Sequence, residues 1–522
     1  MISGVEDART WVGQNARHLR AATIFCAACL ALLMLIVVSP SLPVSPFLVA
    51  VGLCLAVMAA YFGLQNPLVA LIYLLLALFF RLAIPKVLPV DAFLPAYAGL
   101  VVSMAIWFIA KPGRRVEVGI IEVVMVLYIG WNIASAVMPH EYPPISFPIT
   151  GERVVLYRLL LIGTLMPFTL YVFGRVLIAR EIAVRTVLWT IVGLGTYSAY
   201  MSIGQFHAPA LVWPKLVAET NWIGRANGIV NQPVVNGLIL VLSYVIAVVL
   251  ASQPGSKWWR RIAGLLAVAM AYSVYLTHTR AIYIALLLII VLGMVLAKGF
   301  RTGFVVSFAI VVIAVLTNFS TLTSSDRAAG GVGSTSEVYD RLNTAATSVW
   351  GFENAPWFGW GLGRFIVINT YHHQQWSPDI EWRHALGIAS HFNELGILTE
   401  LGLVGLTMWL AILVMLAYRL ITALRELPEA GLLGRPLAFI GISAYIALIA
   451  CGVSVDLRLF DLPSAVVMLI AGMVVGQQDR VRKLNAASQS ARKSALSAWK
   501  TKRAGLPADS KYGRAIVQQP ES

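Results

Sequence analysis

The chain has 522 residues, 59% of them apolar and only 12% charged, with a formal net charge of +15. A soluble fold of this length needs far more charge to cover its surface, so most of the chain must face lipid. The basic residues sit in short clusters between apolar runs and form no groove-entering motif, which argues against nucleic acid as a partner.

Runs of about 17–25 apolar residues recur from end to end, the length that crosses a hydrocarbon core as a helix. The short alternating segments of a barrel do not appear. Arg9, Arg17 and Arg20 precede the first run, so residues 1–22 read as a cytoplasmic N-terminus before an uncleaved first helix. The expected spans begin with Thr23–Val38, Phe47–Leu64, Pro67–Ile84, Phe93–Ala110 and Val118–Met138. Val154–Phe173, Ile182–Phe206, Val234–Ala251 and Ile262–Leu276 follow. Ala281–Ala297, Gly303–Phe319, Leu395–Tyr418, Leu437–Val453 and Leu462–Gly476 complete a set of about fourteen. The expected fold is therefore all-α, a polytopic transmembrane helix bundle with both termini in the cytoplasm. The membrane domain is 23–476, and 477–522 is a basic, polar cytoplasmic tail suited to anionic lipid. Cys26, Cys29, Cys54 and Cys451 all lie inside apolar runs, and no disulfide framework is implied.

Threading the spans alternately tests this topology. The inside loops then collect Lys111, Arg114 and Arg115, then Arg175, Arg180 and Arg185, then Lys257, Arg260 and Arg261. Lys298 and Arg301, Arg419 to Arg435, and Arg480 to Lys483 fall on the same side. That is the positive-inside pattern. Three outside loops are longer than a tight turn: Pro139–Arg153, His207–Pro233 and the segment 320–394. The last far exceeds a connector and reads as functional. It opens with a Ser/Gly stretch, continues as a helix over about Glu337–Val349, and reaches an aromatic, Gly-rich turn around Trp360.

Positive charge is selected against in short outer loops, so Arg81, Arg153, Arg158, Arg225, Arg280 and Arg364 each need a reason to be there. Snorkelling to headgroups suits Arg81 and Arg153. A guanidinium fork also grips phosphate oxygens, so an anionic ligand at the outer interface is the other reading. Arg280 closes the tight turn Thr277-His278-Thr279-Arg280, and Arg225 lies in Gly224-Arg225-Ala226-Asn227-Gly228. His391, at the outer end of a span, suits a general base or a helix cap. Trp350, Trp357, Trp360 and Trp376 suit sugar stacking or an interfacial belt. His372, His373 and His384 lack metal-ligand spacing, so no metal is expected.

The segment His391-Phe392-Asn393-Glu394-Leu395, followed by Glu400-Leu401-Gly402-Leu403-Val404-Gly405, resembles the signature closing the long outer loop of bacterial O-antigen ligases and polymerases. Gly359-Trp360-Gly361-Leu362-Gly363-Arg364-Phe365 resembles their Gly-x-Gly-x-Gly-x-Phe turn. Arg225-Ala226-Asn227-Gly228 with Asn231-Gln232-Pro233 resembles an Arg-x-x-Gly element, and Thr279-Arg280 resembles a Ser-Arg pair. The family places asparagine directly after the histidine; here Phe392 stands there and Asn393 follows.

The resemblance implies a glycosyltransferase in the bacterial cytoplasmic membrane. It would move a glycan from a polyprenyl-pyrophosphate carrier to a glycan or lipid-core acceptor at the outer face, without metal or cofactor. Arg225 and Arg280 would hold the pyrophosphate, and His391 would take the acceptor proton. Arg153, Arg158, Arg364, Trp360 and Glu394 would contact substrate. A polymerase is the leading expectation; a ligase uses the same donor chemistry. A transporter or flippase is the reading from another class, though its charges would belong near the midplane.

Overall fold

The computed structural model describes residues 66–83, 93–110, 117–147, 152–212, 224–326 and 331–504. The expected spans Thr23–Val38 and Phe47–Leu64, with Cys26, Cys29 and Cys54, lie outside the described residues. Each of the remaining expected spans coincides with a helix.

In chain order these are α1 (Pro67–Phe79), α2 (Phe93–Ala110) and α3 (Ile120–Val137), then a small hairpin of β1 (Ile145–Phe147) and β2 (Glu152–Arg153). Next come α4 (Leu156–Leu177), which contains a π-turn at Leu161–Leu165, α5 (Glu181–His207), α6 (Pro233–Ser252) and α7 (Lys257–Leu276). After α8 (Arg280–Leu296) and α9 (Thr302–Thr317), the long loop holds α10 (Ser336–Asn354) and α11 (Phe365–Tyr371). The chain closes with α12 (Asn393–Glu426), α13 (Arg435–Gly452) and α14 (Asp461–Ala504). Seven of these are long and apolar enough to cross a membrane, and α1, α2, α8 and α9 are shorter apolar helices. The protein is a polytopic helical membrane protein.

The core is built around α6. Pro233 starts it, Gln232 caps it by accepting from the Val235 N–H at 2.8 Å, and every residue from Pro233 to Leu250 is buried. A helix apolar on all sides suits a position surrounded by other helices. On the other side of the bundle α14 lies directly against α4. A Cβ on Gly472 would meet the Tyr171 carbonyl oxygen, and one on Gly476 the Arg175 carbonyl oxygen, both at contacts no side chain tolerates. Small residues one turn apart are what allow two spans this close.

Ion pairs tie the basic end. Arg175 on α4 pairs with Glu122 on α3 and, at 2.9 Å, with Asp479 on α14; Arg419 on α12 also reaches Asp479. Beyond this staple α14 does not stop at Gly476, as the hydropathy suggested, but continues unbroken to Ala504. The reason is local: residues 477–504 contain neither Gly nor Pro and are rich in Ala, Gln, Lys and Arg.

Candidate active site

The opposite end carries the long loop, and two glycine motifs fasten it to the bundle. Within α12, Gly402 adopts φ 66° and ψ −168°, which breaks the helix. The Leu403 N–H donates instead to the Pro356 carbonyl at 2.8 Å. The freed carbonyls of Thr399 and Glu400 accept from the Trp360 and Gly361 N–H groups at 2.9 and 2.8 Å. A Cβ at Gly359 would strike the Glu400 main chain, and one at Gly402 would strike Trp357. The Gly359–Gly363 turn and the Glu400–Gly405 segment are thus one joint, with the hydrogen bonds of the broken helix satisfied across it.

Beneath the joint lies a buried charge group. Glu400 accepts from the Phe365 N–H at 3.0 Å and pairs with Arg458 at 2.9 Å, while Asp456 takes the other side of the guanidinium at 2.6 Å. All three are almost fully buried. The sequence reading passed over Arg458 and Asp456; their only signal was two opposite charges in the short connection between the last spans.

Arg225 is fixed by a polar network inside the membrane end of the loop 224–232. Asn236 donates to Ser202 Oγ at 2.9 Å and to the Ala226 carbonyl at 3.2 Å, and the Ala226 N–H donates to the Leu276 carbonyl at 2.8 Å. Gly228 has φ +54°, and a Cβ there would strike Asn236. The backbone is locked, so the arginine is aimed. Its Nη1 donates to Glu337 at 2.9 Å and its Nη2 to Thr279 Oγ1 at 2.9 Å. Thr279 is the N-cap residue of α8 and passes its own proton to the Thr277 carbonyl at 2.8 Å. The hydroxyl of the Thr-Arg pair therefore positions Arg225.

Arg280, the first residue of α8, points to the loop before α10. Its guanidinium donates to the carbonyls of Val332 and Ser334. Among the described residues no carboxylate pairs with it. Three residues on, Glu337 in the first turn of α10 holds Arg225.

His391 lies in the electrostatic field of Arg341, Asp340 and Glu337 of α10. Burial, then the Arg341 charge, hold its pKa below the ordinary histidine value of 6.5. The imidazole is therefore neutral near pH 7, and its unprotonated ring nitrogen is able to accept a proton. The segment 332–341, the end of a loop and the first turns of α10, therefore meets Arg280 through two carbonyls, Arg225 through Glu337, and the field of His391 through Asp340 and Arg341. Glu337, Asp340 and Arg341 were not singled out from sequence; their only signal was charge on a helix in an unusually long loop.

The other expected contacts scatter. Arg364 is buried, donating from Nε to the Tyr142 carbonyl at 2.7 Å and from Nη1 to the Leu362 carbonyl at 3.0 Å, which fastens the turn. Arg158 lies 3.5 Å from Asp461, which also binds Arg81 at 2.5 Å, away from the cluster on α10. Arg81 thus has a carboxylate partner and stacks over the Phe93 ring, where snorkelling was expected. Arg153 lies in β2. Glu394 faces a narrow crevice with Asn393, Trp409 and Arg458, and accepts from Asn393 Nδ2 at 3.2 Å. Trp360 stacks with Trp350 at 5.6 Å between ring centres, and His372 lies face to face with Trp350 at 4.4 Å. Tyr142 adds its hydroxyl to His372 at 2.8 Å and its ring to Tyr371, giving one aromatic wall.

Helical spans with a long loop clamped to their ends define a polytopic helical membrane protein. Residues 265–410 match the family model described as O-antigen ligase, so this segment is a domain of the O-antigen ligase and polymerase superfamily. That superfamily is an enzyme family of the membrane. The matched segment contains Arg280, Trp360, His391 and Glu400, while Arg225, Arg153 and Arg158 lie before it. No curated protein matches the chain.

Proposed function

We propose that the chain transfers a glycan from a polyprenyl-pyrophosphate carrier to an acceptor sugar hydroxyl, extending a cell-surface polysaccharide at the outer face of the bacterial cytoplasmic membrane. The observation that carries this reading is that Arg280 and Arg225 are held by oxygens of residues 332–337, and that the next turn of α10 carries Asp340 and Arg341, whose charges act on His391. The two guanidinia rest on the Glu337 carboxylate, the Thr279 hydroxyl and the carbonyls of Thr277, Val332 and Ser334, oxygens of the kind a pyrophosphate also offers. Arg225 and Arg280 bind that group and stabilise the charge that grows on it as the anomeric bond breaks. His391 accepts the proton of the acceptor hydroxyl as its oxygen attacks the anomeric carbon. Pyrophosphate then leaves still attached to the polyprenyl chain, without a protein acid. The wall formed by Trp350, Trp360 and Tyr142 offers stacking faces to sugar rings. In this reading the basic clusters and both termini face the cytoplasm, residues 23–476 form the membrane domain, and 477–522 the tail.

Ligation is the second reading, favoured by the description of the matching family as O-antigen ligase. The test is to give purified protein its lipid-linked oligosaccharide alone and follow glycan length. A ladder that disappears in His391→Ala identifies a polymerase using that histidine. Transfer only when a lipid core or protein acceptor is added makes it a ligase. Full activity in folded His391→Ala and Arg280→Ala proteins sinks the mechanism.

A further inference from the structure

An open cavity lies away from the loop, at the basic end where α6 runs into α7. It holds about 430 Å³ and is lined by Arg185 and Trp189 of α5, Leu250 and Gln253 at the end of α6, Pro254, and Trp259 and Arg260 of α7. Its apolar wall is Leu250, Pro254 and the two tryptophans, whose rings meet edge to face at 5.7 Å. Its rim is cationic. Among the described residues Arg185 is engaged by an exposed pair with Glu181 one turn away, and Arg260 by the Ala251 carbonyl at 2.9 Å, so both can turn to an anion. Trp258 and Trp259 are exposed beside them.

One residue inside is unexplained by folding. Gln253 is 6% exposed, yet no partner within the described residues hydrogen-bonds its carboxamide; only its backbone N–H is engaged, with Leu250. Gln253 lines the cavity, and its amide atoms are not sealed from it, so they offer a donor and an acceptor to whatever fills the space. A ligand that fits brings hydrogen-bonding oxygens to Gln253, negative charge to Arg185 and Arg260, and an apolar portion to the wall. A membrane protein meets that combination in a lipid whose phosphate sits at the interface and whose chain lies along the helices.

We propose that this cavity binds one anionic glycerophospholipid, with its phosphate between Arg185 and Arg260, its glycerol ester oxygens at Gln253, and an acyl chain against Leu250, Trp189 and Trp259. The site is independent of the glycan chemistry proposed above. Native mass spectrometry of the delipidated full-length protein tests it, with phosphatidylglycerol, phosphatidylcholine and inorganic phosphate offered separately. One tightly retained phosphatidylglycerol is expected, with at least tenfold weaker retention of phosphatidylcholine. Arg185→Gln with Arg260→Gln is expected to weaken the phosphatidylglycerol adduct at least tenfold, and Gln253→Leu, which leaves charge unchanged, severalfold. Lys298→Gln with Arg301→Gln removes as much charge from the same end outside the cavity and should leave the adduct intact. Equal loss in that control would reduce the effect to general surface charge and overturn the site. Equal retention of phosphatidylcholine, or displacement of the lipid by inorganic phosphate, would overturn the choice of ligand. Thermal unfolding of each variant separates lost binding from lost fold.

Discussion

Two groups of arginines stand at the loop end of the bundle, and they are satisfied in opposite ways. Arg458 is buried with two carboxylates, Asp456 and Glu400, around one guanidinium, and Glu400 also takes a backbone N–H. Arg280 has no carboxylate among the described residues and rests on the carbonyls of a loop; Arg225 shares Glu337 with a hydroxyl. The first group is closed, with charge matched inside low-dielectric packing. The second is only partly buried and held by oxygens that can be exchanged. A charge fully paired and buried is a part of the scaffold, whereas partly buried cations resting on exchangeable oxygens, the Glu337 carboxylate among them, are open to an anion.

The comparison can be broken at either end. The largest effect on stability is expected from Arg458→Ala, which strands two buried carboxylates and should cost about 3–5 kcal/mol. Thermal unfolding in detergent measures it, and a variant as stable as the parent would remove Arg458 from the scaffold. His391→Ala should leave the melting temperature near the parent value while transfer falls about 10²–10⁴-fold. Arg280→Ala should lower turnover about 10²–10³-fold, with the parent fold retained. Its loss should lie mainly in kcat if the arginine meets charge that develops during transfer, and mainly in KM if it only holds the donor.

The smallest effect sharpens the assignment of the base. His391 must be neutral to accept a proton, and its pKa lies below 6.5, so activity should fall as pH drops below that value. Arg341 helps to hold the pKa down and Asp340 pushes it up. Arg341→Gln should therefore move the acid limb to higher pH, and Asp340→Asn to lower pH. A limb that ignores both changes would mean another group is titrating.

Much of the bundle was legible because a lipid-facing helix must be long and apolar, and that constraint is written in every span. The ends were less so. The reach of α14 to Ala504 was hidden because hydropathy reports burial in lipid, and a polar helix in water carries no such mark. The arginines of the outer end were visible as anomalies of charge, but their fates were not. Arg364 and Arg280 look alike in sequence, and each donates to two main-chain carbonyls; the fold buries Arg364 and leaves Arg280 partly exposed. His391 was visible as a residue, while its partners on α10 lie some fifty positions earlier, where sequence offers no sign of the contact.

The break at Gly402 has a mechanical meaning. The carbonyls of Thr399 and Glu400 before it and the N–H groups of Leu403 and Val404 after it all bond to residues 356–361, so the break is bridged from both sides. The joint works as a rivet: the long loop is pinned to the first turn of the span, and a tilt of that span to match a thicker or thinner bilayer carries the pinned turn with it.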